Sequence, residues 1–248
     1  MPAKAALLTL VLLPGFQGKA DLCQPLLRAL PQSQPVRVLE LPGGVIQSYE
    51  DLDPWLDGAL ARSKDYVLVA ESFSSELAIR HAARHPKHLK GLITLGGFAC
   101  LASPRWLHPL ASLVPSFTSP IISNPRRNLI FGPLSTPLST PLDDAVVVKC
   151  MSHYSTACLR GRLHAIMKGD QRPLLSQITV PRLAIHGQQD QMVPRPAWQA
   201  LVDSGFEGKL VTGPHALAYS SPKEVAAALG QFLKSLDSST KVRKSNIK

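Results

Sequence analysis

Residues 66–83 read YVLVAESFSSELAIRHAA, and the way this stretch divides decides the fold. Tyr66–Ala70 is an unbroken apolar run, the pattern of a strand buried on both faces. Phe73–His85 reads as a helix that stops before Pro86, which disfavours helix in the residue ahead of it. Only Glu71 and Ser72 lie between, so a strand ends, one serine follows and a helix begins. A serine on so tight a turn is held in a sparsely populated backbone conformation and needs small neighbours. The usual pattern is G-x-S-x-G. Here Ala70 and Ser74 occupy the two glycine positions, which adds only a methyl and a hydroxymethyl group. The helix start behind Ser72 offers free N–H groups and the positive end of the helix dipole to a developing oxyanion. The plainer alternative is that Ser72 or Ser74 merely caps the helix.

Outward from this stretch, strands and helices alternate. Ala5–Leu12 reads as a strand stopped by Pro14-Gly15. Asp21–Leu30 carries Leu22, Leu26, Leu27 and Leu30 at helical spacing. Val36–Leu41 is a short strand, Asp51–Arg62 an amphipathic helix and Gly91–Leu95 an apolar strand closed by Gly96-Gly97. Later come a strand at Arg182–His186, a helix at Pro194–Val202, a short strand at Lys209–Val211 and a final helix at Pro222–Leu236. Continuous apolar strands alternating with helices predict an α/β fold, with a mostly parallel sheet of about six strands covered by helices on both faces. Residues 1–97 and 179–236 form the expected core. The N-terminal run has a second reading, since a lysine, an apolar stretch and small residues near Ala20 also make a signal peptide. The short run and its abrupt turn favour the strand.

Residues 98–178 break the rhythm. The first half is rich in proline (Pro104, Pro109, Pro115, Pro120, Pro125, Pro133, Pro137, Pro141) and contains the local near-repeat LSTPLSTP. The second half, Asp143–Lys168, reads as helices. An insertion between two strands often covers a site as a lid, and the alternative is a helical decoration. Residues 237–248, DSSTKVRKSNIK, are expected to be a disordered basic tail. Lys plus Arg is 27 against 17 Asp plus Glu, a net charge of +10, while 45% of residues are hydrophobic and 18% charged, which rules out a disordered chain. Outside the tail the basic excess is diffuse. It suits an acidic substrate or partner more than nucleic acid, for which no aromatic-interleaved basic motif is present. The four cysteines, Cys23, Cys100, Cys150 and Cys158, have no metal-ligand spacing and are too few for a disulfide scaffold. A cytoplasmic location, with no metal and no cofactor, is the expectation. No run reaches the roughly 18 apolar residues that span a bilayer.

A serine used as a nucleophile needs a base, and on this arrangement of strands the order is serine, carboxylate, histidine. Of the eight histidines, His215 in Gly213-Pro214-His215 lies between the last strand and the last helix, where that base belongs. His186 ends a strand and reads as packed. His81, His85 and His88 read as surface residues, and His108, His153 and His164 belong to the insertion. The carboxylate that orients the base is Asp190, in the turn after Arg182–His186, whose plainer role is a turn or cap before Pro194. The N–H groups of Phe73, after the serine, and Phe16, in the loop after the first strand, are the candidate oxyanion donors. Phe16, Trp106, Phe117, Phe131 and Met151 are candidate walls of an acyl pocket. Arg126, Arg127, Arg160 and Arg162 are candidates for docking an acidic carrier protein, although arginines are commonly just solvated surface.

Taken together, AESFS at 70–74, LPGFQG at 13–18, the D-x-x-V-P turn at 190–194 and GPH at 213–215 resemble the α/β-hydrolase fold superfamily. Within it the chain resembles small bacterial serine carboxylesterases of the pimeloyl-ACP methyl ester carboxylesterase type. The likeness runs from Ala5 to Leu236. It departs from the pattern at both elbow glycines and at Leu13-Pro14-Gly15, where many relatives carry His-Gly. The resemblance implies hydrolysis of carboxylic esters through an acyl-enzyme on a Ser72-His215-Asp190 triad, acting on a small ester or acyl substrate, with the insertion as lid. An acyltransferase would use the same residues. A non-catalytic α/β binding domain is the alternative from another class.

Overall fold

The computed structural model describes residues 7–101, 146 and 149–245. Six strands form one sheet: β1 (Thr9–Leu13), β2 (Val36–Val38), β3 (Tyr66–Glu71), β4 (Leu89–Leu95), β5 (Arg182–Gly187) and β6 (Glu207–Val211), in the order β2-β1-β3-β4-β5-β6. Every neighbouring pair is parallel. The N-terminal apolar run is therefore strand β1, hydrogen-bonded on both sides. The helices are α1 (Gln24–Ala29), α2 (Asp53–Leu60), α3 (Ser74–Ala83), α4 (Thr156–Lys168), α5 (Arg195–Asp203), α6 (Leu217–Ser220) and α7 (Pro222–Ser245).

Residue alternation along the strands explains why these runs carry no polar face. Val11, Leu13, Leu68, Ala70, Leu92 and Ala184 pack with Leu56, Leu77, Trp198 and Leu201 of α2, α3 and α5. Leu10, Leu12, Val67, Val69, Ile93 and Ile185 point the other way, onto Leu26, Leu217, Leu229 and Phe232 of α1, α6 and α7. With helices on both faces, the inner strands are apolar along most of their length, whereas the edge strands β2 and β6 carry Arg37, Glu207 and Lys209. The chain leaves β1 toward β2 and then crosses back past β1 to β3. Loops after β1 and β3 therefore part at the carboxyl edge of the sheet, the place where such folds bind ligands.

Two expectations are corrected. The tail beyond Leu236 is helical through Ser245. Once α7 is nucleated by packing through Leu236, each further residue adds one hydrogen bond at little entropic cost. His81 is not a surface residue: it is buried, with Nε2 2.7 Å from the buried Tyr66 hydroxyl and Nδ1 3.0 Å from Asp57. The phenol at the start of β3 needs a partner away from water, and one turn of α3 supplies it. Trp106, Phe117 and Phe131, with the proline-rich half of the insertion, lie outside the described residues.

On α3, Glu76 is fully buried, and burial pushes its carboxyl up to about 9 against a hydrogen bond from Gln171. Asp170 and Glu50 add to the rise and Arg80 opposes it. A raised folded-state value means that the unfolded chain releases the proton first, so stability is lost as pH climbs from the ordinary carboxylate range toward 9. By pH 7 the loss is about 3 kcal/mol at 1.36 kcal/mol per unit. Glu76→Gln is expected to melt several degrees above wild type at pH 8, at about 2–4 °C per kcal/mol. The advantage disappears by pH 5. Thermal unfolding at both values checks this, and a pH-independent difference would contradict a protonated Glu76.

Candidate active site

Ser72 sits at the end of β3 with φ +50°. A left-handed non-glycine residue costs on the order of 1–2 kcal/mol, so its surroundings must enforce it. They do so through Ser72 N–H, which donates to Leu95 O at 2.9 Å, and through Ser72 O, which accepts from Ser75 N–H at 2.9 Å and Ser75 Oγ at 2.6 Å. The two non-glycine flanks are accommodated differently. Ala70 lies in register between Leu13 and Thr94 in the middle of the sheet, where its methyl packs. Ser74 is fully buried and its hydroxyl donates to Pro14 O at 2.5 Å, tying the elbow to the loop after β1.

His215 Nε2 lies 2.7 Å from Ser72 Oγ, and His215 Nδ1 lies 2.8 Å from Asp190 Oδ2. Three side chains from the ends of β3, β5 and β6 thus form one chain of hydrogen bonds. The Asp190 side chain is fully buried, and its Oδ1 accepts from the N–H groups of Met192 and Val193 at 2.9 Å each. Burial pushes its carboxyl up. The hydrogen bond to His215, the Val193 N–H and the nearby His186 more than reverse this, leaving it below the usual range. Asp190 therefore holds a negative charge beside the imidazole at neutral pH. Such a relay can take a proton from a hydroxyl and hold the resulting imidazolium.

The loop after β1 is a tight turn closed by Gly18 N–H donating to Gly15 O at 2.9 Å, with Phe16 and Gln17 at its centre. It lies directly on the elbow, since a Cβ on Gly15 would sit 3.4 Å from the Ser72 Cβ. The Phe16 and Phe73 rings meet edge to face, centroids 6.2 Å apart. Neither residue's backbone N–H has a hydrogen-bond partner among the described residues. Phe16 and Met151 both pack against the cluster of Tyr154, Cys158 and Leu159, so the structure brings these two of the five candidate pocket residues together.

Two further residues at the site, Gly96 and Glu71, escaped the sequence reading, and two others, His186 and Arg162, make contacts it did not foresee. Gly96, at φ +54°, lies under His215: a Cβ there would be 3.1 Å from the ring Nδ1. The Gly96-Gly97 pair was the available signal. Glu71, fully buried beside Ser72, accepts from Ala218 N–H at 3.1 Å and so links the elbow to the His215 loop. Burial raises its carboxyl, against the N–H groups of Ala218 and Leu217 and the nearby His215. His186 is buried and stacked on Trp198, as expected, but its Nδ1 also lies 3.6 Å from Asp190 Oδ2. Arg162, counted among the candidate docking arginines, is only 2% exposed and cannot meet a carrier protein. It lies on the inner face of α4, where Gly161 brings the helix backbone against Ile46. Single-residue composition carries no trace of that placement.

The sheet order and the strained serine turn are those of the α/β-hydrolase fold. No protein-family model matches the chain. It is 27% identical to the pimeloyl-[acyl-carrier protein] methyl ester esterase of Edwardsiella ictaluri, over 90% of this chain and 92% of that one. It is 28% identical to the putative carbamate hydrolase RutD of Yersinia enterocolitica, over 91% of this chain and 87% of that one. It spans 48% of a longer relative, the bifunctional biotin biosynthesis protein BioHC of Cellvibrio japonicus, at 27% identity. Among solved structures, the enol-lactonase of Burkholderia xenovorans shares the fold with a TM-score of 0.77 at 17% identity, covering 92% of each chain. The sequence similarity is thus to hydrolases of the carboxylesterase type.

Proposed function

We propose that this protein hydrolyses carboxylic esters through an acyl-enzyme on Ser72, with His215 as the base and Asp190 as its orienting carboxylate. The observation that carries the reading is the continuous contact from Asp190 through His215 to Ser72, at 2.8 and 2.7 Å, on a serine held at positive φ. The Ser72 hydroxyl attacks the acyl carbon while His215 Nε2 takes its proton. The oxyanion that forms receives the N–H groups of Phe16 and Phe73, each worth about 3 kcal/mol in comparable sites. The imidazolium then protonates the departing alkoxide. A water, deprotonated by the same nitrogen, releases the acid and frees Ser72.

The substrate class follows from two features. Phe16 and Met151 beside the Tyr154 cluster suit a moderately apolar acyl group. The net charge of +10 favours an acidic carrier, and the relative from Edwardsiella ictaluri is named for an ester borne on one. Residues 98–178 serve as a lid in this reading, with α4 over the loop after β1. The free cysteines suit a reducing, cytoplasmic setting. No helix among the described residues is long and apolar enough to cross a membrane.

A fluorophosphonate probe tests the proposal and separates it from a non-catalytic binding domain. One probe per chain, attached at Ser72 and absent from Ser72→Ala, is the expected result. Folded wild-type protein that takes up no probe would overturn it.

A further inference from the structure

We propose that Arg162, on α4 of the insertion, is a positioning residue that holds the oxyanion loop in its working conformation. This rests on the ester-hydrolase reading above, in which Phe16 N–H is an oxyanion donor.

The guanidinium is 2% exposed, and among the described residues no carboxylate pairs with it. A buried cation without a counter-charge is costly unless its N–H groups are satisfied, so what satisfies them is informative. Nη1 donates to Phe16 O at 2.6 Å and Nη2 to Pro42 O at 3.2 Å. The guanidinium carbon lies 4.0 Å from the centre of the Tyr154 ring, a close cation–π contact. Tyr154 continues the clamp: its hydroxyl lies 3.0 Å from Gly18 O and 2.9 Å from Leu41 O, and its one proton is shared between the two carbonyls. Two side chains of the insertion thus bind backbone carbonyls at 16, 18, 41 and 42, in the loops that follow β1 and β2.

The carbonyl that Arg162 holds belongs to the central peptide of the Gly15–Gly18 turn. Tight turns exist in forms that differ by a half-rotation of this peptide, which exchanges the positions of its carbonyl oxygen and N–H. The bond to Phe16 O selects one form. The Phe16 N–H lies on the adjoining peptide, and its direction is set once the turn is held. Packing leaves no slack: Gly18 is at φ +71°, and a Cβ there would lie 2.6 Å from both Arg162 Nη1 and the Tyr154 hydroxyl. Preorganised donors stabilise an oxyanion because they need no reorientation during reaction, and small misplacements are costly.

The test uses Arg162→Ala and Arg162→Lys with a short p-nitrophenyl ester, each rate taken per folded site from active-site titration. Arg162→Ala is expected to lower kcat by about tenfold to a hundredfold, with KM little changed. Affinity for a trifluoromethyl ketone, which mimics the tetrahedral oxyanion, should fall in parallel. Added methylguanidinium should restore part of kcat, an effect a purely structural role would not show. Should Arg162→Ala fail to fold, Arg162→Lys decides: it keeps the charge but not the two-pronged geometry, and should show the same kcat loss on a smaller scale. Unchanged kcat and ketone affinity per folded site in either variant would overturn the proposal while leaving the ester-hydrolase reading intact. Wild-type protein that neither hydrolyses the ester nor reacts with fluorophosphonate would overturn both.

Discussion

Ser72→Ala is expected to reduce kcat for a short p-nitrophenyl ester by about a millionfold, the scale on which a nucleophile and its base act as one unit. His215→Ala should cost as much, and the double variant little more. The reason is geometric. Among the described residues His215 Nε2 meets the Ser72 hydroxyl at 2.7 Å, and without either partner the remaining one has nothing to activate or to be activated by. Folding should barely notice the change at Ser72. The alanine methyl fits where the serine Cβ already sits, and the lost hydrogen bond is worth about 1 kcal/mol. Ser72→Gly should be equally inactive but more heat-stable than Ser72→Ala, because glycine occupies φ +50° without strain. Steady-state kinetics and thermal melting check both statements. A variant at Ser72 or His215 that keeps wild-type turnover would remove that residue from the mechanism.

Asp190→Asn is expected to lower kcat by about ten-thousandfold with the fold intact. The hydrogen bonds around the carboxylate dictate why. Oδ1 receives two backbone N–H groups, from Met192 and Val193, while Oδ2 faces His215. In asparagine the amide oxygen must stay with the two backbone donors, so the amide N–H₂ turns toward His215 Nδ1. That nitrogen must then accept, its proton moves to Nε2, and Nε2 can no longer take the proton of Ser72. The charge that would stabilise the imidazolium is lost as well. A pH–rate profile and kcat of the asparagine variant test this, and turnover within a few-fold of wild type would send the search for the orienting carboxylate to another residue.

Both effects concern residues that stand out before any coordinates are known, and the reason is physical. A serine that follows an apolar strand and opens a helix with no intervening loop has few conformations open to it. The order of serine, carboxylate and histidine then leaves little choice of partners: the turn at 187–193 holds one carboxylate, and the loop before the last helix holds one histidine. Strand assignments were legible for the same kind of reason, since inner strands covered on both faces read as nearly continuous apolar runs. What stayed hidden depended on neighbours distant in the chain. Gly96 looks like a strand terminator until His215 is packed over it. Glu71 looks like an elbow residue of no consequence until Ala218 N–H reaches it. His81 reads as exposed because the Tyr66 hydroxyl it satisfies comes from another element.

The tail and Arg162 show the same divide from opposite sides. Polar, basic residues after Leu236 suggest disorder when judged by composition, yet a helix already anchored by Val225, Leu229 and Phe232 extends through them to Ser245. An arginine in LRGRLHAIM suggests solvated surface, yet one turn of helix brings it under cover and onto the carbonyl of Phe16. The amino-acid order alone determined the layered α/β architecture, the serine turn and the choice of three candidate site residues, because apolar periodicity and backbone sterics act over a few neighbouring residues. Only the folded chain decided that Ser72 and His215, 143 positions apart, meet at bonding distance, and which charged groups are buried around them, because those outcomes depend on contacts between segments that no local pattern encodes.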